Sequence, residues 1–172
     1  MDGTLFYFAY GSNMALERLR ARIPEAEPVS SGTLRAHSLR FHKIGRDGSA
    51  KCDAYATGVA EDRIHGMLYR IERSSRTLLD KVEGLGRGYE IREVGIEIAD
   101  GHTLEAFLYY ATLIDPQLRP FDWYLEHVLR GARQAQLPQA YLEALQRQIC
   151  IPDPDEERAV LERAIYRTTI LR

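Results

Sequence analysis

The chain alternates between short strand-like and helix-like stretches, and the first of them is the most aromatic. Thr4-Leu5-Phe6-Tyr7-Phe8-Ala9-Tyr10 reads as a strand. Gly11-Ser12-Asn13 breaks it. Met14, Leu16, Leu19 and Ile23 then recur at near-helical spacing with charged residues between them. Ser12 or Asn13 is the expected N-cap of that helix, and Pro24 its stop. Residues 31–43, 55–60 and 64–71 read as strands, and the polar, glycine-bearing residues 45–50 as a mobile loop. Ser74 opens a short helix striped by Leu78, Leu79 and Val82, which ends at Gly84-Leu85-Gly86-Arg87-Gly88. Strands over 89–98 and 104–111 flank Asp100-Gly101, a hairpin signal. In the first of them the apolar phase moves from odd positions (Tyr89, Ile91) to even ones (Val94, Ile96, Ile98), which predicts a bulge or bend near Glu93. Helices follow over 121–133, 140–149 and, beyond Pro152-Asp153-Pro154, over 155–165.

This order lacks strict strand–helix alternation, so a doubly wound parallel sheet is excluded in favour of an α+β fold. The expected architecture is a curled mixed β-sheet or partial β-barrel with surrounding helices. With 172 residues and no linker or repeat, one domain is expected over residues 1–172, the last part (153–172) being a C-terminal helical extension.

Composition narrows the function classes. The 23 Lys+Arg against 25 Asp+Glu leave a net charge of -2, which argues against a nucleic-acid partner. No apolar run approaches the roughly 20 residues of a membrane span, so no membrane partner is expected. Cys52 and Cys150 match no redox or metal spacing, and a reducing cytoplasm is the expected location. The five histidines (His37, His42, His65, His102 and His127) give no metal site either. No phosphate loop, dinucleotide fingerprint or nucleophile elbow is present. Ten Tyr stand against five Phe, so rings bearing a hydroxyl outnumber plain ones.

Two local features could carry chemistry. The Tyr10-Gly11-Ser12-Asn13 turn joins a strand to a helix, where main-chain N–H groups suit a carboxylate or phosphate and Gly11 permits close approach. An ordinary capped turn explains the same residues. Glu83 closes a short helix beside a glycine-rich loop. It is a candidate base there, or else a solvated surface acid.

Tyr7-Phe8-Ala9-Tyr10-Gly11-Ser12-Asn13-Met14 resembles the signature of the γ-glutamylcyclotransferase family, also called AIG2-like. Three further stretches match in order: Glu83-Gly84 with Gly88-Tyr89, then Phe107-Leu108-Tyr109, then residues 120–141 with Tyr124, Gly131-Ala132, Leu137-Pro138 and Tyr141. The resemblance covers roughly residues 5–150. The Tyr-Gly-Ser-Asn turn is closer to the γ-glutamylcyclotransferase branch proper than to the glutathione-degrading or γ-glutamylamine branches, which resemble Tyr-Gly-Ser-Leu and Tyr-Gly-Thr-Leu.

The resemblance implies a cofactor-free enzyme that converts a γ-glutamyl amide into 5-oxoproline and a free amine. In it Glu83 acts as general acid/base. Tyr10, Gly11, Ser12, Asn13, Tyr89, Tyr109 and Tyr124 bind the substrate, the last three tyrosines presenting hydroxyls to it. The implied partner is a small γ-glutamyl molecule, and the resemblance leaves monomer and homodimer both open. Two alternatives stay open: a non-catalytic metabolite-binding module of the same fold, and a tailoring cyclotransferase that unmasks a natural product.

Overall fold

The computed structural model describes residues 3–167. Residues 168–172 of the expected C-terminal extension lie outside the described residues. The strands are β1 (Thr4–Ala9), β2 (Glu27–Arg35), β3 (His37–Ile44), β4 (Ala50–Ala56), β5 (Arg63–Glu72), β6 (Tyr89–Ile98) and β7 (Thr103–Ala111). The helices are α1 (Leu16–Arg20), α2 (Arg76–Glu83), α3 (Asp122–Gln134), α4 (Gln139–Gln146) and α5 (Glu156–Ala164). Five strands close into a barrel in the order β1-β5-β2-β6-β7, while β3 and β4 form a separate hairpin. Every neighbouring pair in the barrel is antiparallel except the closing one, where Tyr7 of β1 meets Phe107 of β7 in parallel. The fold is α+β, and the mixed sheet closes fully.

Alternation along the strands separates two apolar layers. Phe8 faces Leu68 and Leu34 faces Ile64 across paired strands, and with Ile96 and Leu108 they form the fully buried barrel core. The opposite faces of β1 and β7 carry Tyr7, Phe107 and Tyr109, whose rings pack 5.3–5.9 Å apart. The α2 helix covers this second layer, with Arg76 over Phe107 and Asp80 hydrogen-bonded to Tyr109.

This second layer corrects the expected bulge. β6 and β7 pair without a register shift from Tyr89↔Ala111 to Glu97↔Thr103. The apolar phase changes because β6 buries two faces: Tyr89 and Ile91 share the side of Tyr109, and Ile96 shares that of Leu108. Real shifts occur at Pro28/Ser30 in β2 and at Phe41/Lys43 in β3.

Other expectations are also corrected. The strand over 31–43 is two strands broken at Ala36, whose φ of 58° turns the chain. The strand placed at 55–60 starts earlier, at Ala50. Residues 45–49 are a closed turn in which Gly45 N–H donates to Ser49 O at 2.8 Å and Asp47 accepts from Ser49 N–H and Oγ. Leu78 and Val82 are exposed, and only Leu79 of that stripe is buried, because α2 touches the sheet along a narrow line. Gly84 caps α2 in the left-handed region, as its position predicts.

The C-terminal segment is held by polar anchors. Trp123 Nε1 and Arg158 Nε each donate to Asp153 Oδ2 at 2.7 Å. Asp155 caps α5 through Arg158 N–H.

Candidate active site

The Gly11–Asn13 turn does not cap a helix with its side chains. Ser12–Met14 form a 3-10 turn, and the five-residue α1 follows only from Leu16, with no side-chain cap. The turn's first internal bond runs from Met14 N–H to Gly11 O (3.1 Å), so the N–H groups of Ser12 and Asn13 precede it. Gly11 is needed for a protein contact: a Cβ there would lie 3.0 Å from Cys52 Cβ and 3.4 Å from Tyr124 Oη. From the other side α3 presses on the turn. A Cβ on Gly131 would lie 2.3 Å from Met14 Cβ and 2.4 Å from Ala15 N.

Freed from capping, the Asn13 side chain organises a polar cluster. Its Nδ2 donates to Glu83 Oε1 at 2.8 Å and to Tyr7 Oη at 3.1 Å. Arg22 Nη1 donates to Asn13 Oδ1 and to Glu83 Oε1, each at 2.8 Å. Arginine only donates and a carboxylate only accepts, so this contact pair sets the orientation of the amide. The Arg22 cation also offsets the unfavourable placement of an acid at the end of α2. Glu83 Oε2 takes no hydrogen bond from the described residues.

All eight residues singled out from the sequence line one small cleft: Glu83, Tyr10, Gly11, Ser12, Asn13, Tyr89, Tyr109 and Tyr124. Tyr7 and Cys52 line it too, and Arg22 stands directly behind Glu83. Sequence reasoning missed these three. Tyr7 lies within the family motif, but as one ring of an aromatic strand it carries no separate signal of a site role. Arg22 is one of twenty arginines, and nothing local marks it. The inner cleft measures about 30 Å³ and opens past Ser12, Glu83, Tyr89 and Tyr124 into a vestibule of about 280 Å³. A larger cleft of about 450 Å³ lies outside, between Arg18, Arg22 and α5, and does not reach the tyrosines.

The phenols divide by hydrogen-bond polarity. Tyr10 donates to the Tyr109 carbonyl, Tyr89 to Cys52 O at 2.6 Å and Tyr109 to Asp80 Oδ1 at 2.6 Å. Each has spent its only proton on the protein, so each offers lone pairs alone to the cleft. Tyr124 Oη instead accepts from Cys52 N–H at 3.0 Å, and Tyr7 Oη accepts from Asn13. Their protons stay available, that of Tyr124 to the Cys52 thiol or to the cleft. Tyr89 and Tyr109 therefore line the cleft with acceptor oxygens. Burial pushes the pKa of Tyr7, Tyr10, Tyr89, Tyr109 and Tyr124 upward, so all five stay protonated near neutral pH. Burial also pushes the Cys52 thiol up to about 12, which removes it as a nucleophile. Both cysteines are free, and no metal-holding cluster occurs among the described residues. No helix among the described residues is long and apolar enough to cross a membrane.

Fold and cleft together define a class: a small mixed barrel carrying a concave, phenol-lined site with a few convergent polar groups, of the kind that takes a small molecule. A family model described as the AIG2-like family matches residues 63–145, a span that holds Glu83, Tyr89, Tyr109 and Tyr124. The γ-glutamylcyclotransferase of Bos taurus is 30% identical over 152 residues, covering 84% of this chain and 79% of its own. That of Mus musculus is 29% identical over 149 residues, covering 83% and 77%. A solved structure titled γ-glutamyl cyclotransferase superposes with a TM-score of 0.83 at 22% identity, covering 94% of this chain and 99% of that one. The chain belongs to the γ-glutamylcyclotransferase family.

Proposed function

We propose that the protein converts a γ-glutamyl amide into 5-oxoproline and a free amine, with Glu83 as the proton-transfer group. One observation carries this: a single carboxylate, held by Asn13 and Arg22 through Oε1, keeps Oε2 unbonded at the junction of the inner cleft and the vestibule. The glutamyl part binds across the inner cleft and its mouth. Its α-ammonium meets the acceptor oxygens of Tyr10, Tyr89 and Tyr109. Its carboxylate and γ-carbonyl meet the donors, namely the N–H groups of Ser12 and Asn13 and the Tyr124 hydroxyl.

The α-nitrogen attacks the γ-carbonyl carbon, a C–N bond forms in the ring, and the amide C–N bond breaks. Over the reaction the α-nitrogen gives up two protons and the leaving nitrogen takes two, departing as an ammonium. Glu83 relays each proton in turn, so the balance needs no other reagent. The nucleophile is tethered to its target, which gives a high effective molarity once the conformer is folded back. Donors placed at the developing oxyanion add to this.

The test is release of 5-oxoproline from a panel of γ-glutamyl amino acids, glutathione and γ-glutamyl-lysine. Glu83→Gln should lower kcat by about 10²–10⁴-fold with the fold intact. Near wild-type turnover in Glu83→Gln would remove Glu83 from the chemistry. No release from any substrate would point instead to a binding module.

A further inference from the structure

Lys43 is an anomaly in the vestibule wall. The chain has three lysines, and two of them, Lys43 and Lys51, stand directly opposite each other across β3 and β4. The extra residue at His42 brings this about. Phe41 pairs with Cys52, yet Lys43 pairs with Lys51 instead of Ala50. Like charges directly opposed destabilise a sheet, and a lysine is rarely buried without a partner.

Lys51 has its partner, since its Nζ donates to Asp47 Oδ2 at 2.7 Å. Lys43 is only 6% exposed, and among the described residues its side chain forms no hydrogen bond or ion pair. Its ammonium lies 4.5 Å from the centre of the Tyr89 ring, in the wall that also holds Glu83.

The other charges of the vestibule are matched. Arg18 pairs with Glu162, Arg22 with Glu83 and Lys51 with Asp47. Lys43 and Arg46 are left over, two cations with no acid assigned. Burial pulls the Lys43 ammonium below its ordinary pKa, and Glu83 partly restores it. An anion seated against Lys43 would replace the solvation that burial removed.

We propose that Lys43, with Arg46 beside it, forms an anion subsite for the leaving group, so that the vestibule favours γ-glutamyl amino acids with an acidic leaving residue over neutral leaving groups. This rests on the cyclotransferase reading for the placement of the leaving group. It rests on the unpaired cations alone for the binding of an anion. The inner cleft is too small for the whole substrate, and the 280 Å³ beyond Glu83 is where an amino-acid leaving group fits.

The experiment compares kcat/KM for γ-glutamyl-glutamate and γ-glutamyl-alaninamide in wild type, Lys43→Met and Lys43→Arg. A charge-assisted contact predicts an acidic-over-neutral ratio of about tenfold or more in wild type. It should collapse toward one in Lys43→Met and persist in Lys43→Arg. Lys43→Met should melt no lower than wild type, since it removes a buried unpaired cation opposite another. A wild-type ratio near one overturns the proposal, as does a Lys43→Met ratio equal to that of wild type. If neither compound yields 5-oxoproline, the cyclotransferase reading fails, and calorimetric titration of γ-glutamyl-glutamate decides the subsite. Binding about tenfold weaker in Lys43→Met supports the subsite, and equal affinity in the two proteins, or none in either, overturns it.

Discussion

Gly131→Ala places one methyl group in the tightest contact between α3 and the 10–15 turn. The added carbon would sit 2.3 Å from Met14 Cβ and 2.4 Å from Ala15 N, where ordinary contacts start near 3.4 Å. The overlap of about 1 Å is against main chain, so no rotamer change relieves it. Overpacking of this kind costs about 1–3 kcal/mol, and more where backbone must move. Alanine also favours a helix over glycine by about 1 kcal/mol, which offsets only part of this. The net loss then reaches about 2 kcal/mol, a fall in Tm of up to roughly 8 °C for a chain of this size. The turn on the other side of this contact carries Ser12 and Asn13. A shift near 1 Å there should lower kcat/KM by about 10²-fold. Differential scanning calorimetry and a 5-oxoproline assay measure the two effects. An unchanged or higher Tm with wild-type kcat/KM would refute the claim that the α3 contact positions the turn.

Asn13→Ala removes the hydrogen bonds that join Tyr7 to Glu83 and brace the Arg22–Glu83 pair, which then rests on its direct contact alone; the loosened placement of Glu83 should lower kcat roughly 10–100-fold. Tyr89→Phe leaves the Cys52 carbonyl without its 2.6 Å donor, so the Tm should fall along with activity, unlike the outcome for a hydroxyl that met only substrate. Cys52 should resist alkylation by iodoacetamide at pH 8 in the folded protein and react once it is unfolded, as mass spectrometry of the peptides would show. Burial raises the Glu162 pKa, but hydrogen bonds from His127 and the Arg18 charge outweigh it and hold Glu162 at about 2, against 4.5 unfolded. The folded value is the lower, so its stabilisation is complete above about pH 4.5 and is lost as pH falls toward 2. Glu162→Gln should flatten the acid limb of Tm against pH over that window.

The chain's own pattern determined the order of most elements. The Asp100-Gly101 hairpin, the Gly84 helix end and the strand over 4–9 were legible because turn chemistry and alternation are local. The residues of the cleft were legible only through the resemblance to a known family. No spacing rule joins Tyr10 to Glu83, Tyr89, Tyr109 and Tyr124, yet the barrel strands with α2 and α3 packed on them bring all five to one cleft.

What tertiary structure alone decided has a common cause, since each case depends on contacts made at long range. The Arg22–Glu83 pair spans sixty-one residues. The apolar phase of β6 misled because α2 covers the second face of the β6–β7 pair, through contacts such as Asp80 with Tyr109. The donor or acceptor character of each tyrosine depends on which distant carbonyl or amide its hydroxyl meets. Lys43 came to face Lys51 through one extra residue in β3, and a shift of register by one residue reverses the side of a sheet to which each following side chain points. The ten-to-five excess of tyrosine over phenylalanine now has a partial physical reason: five of the ten line the cleft, where each ring packs and each hydroxyl makes a hydrogen bond that assigns its polarity.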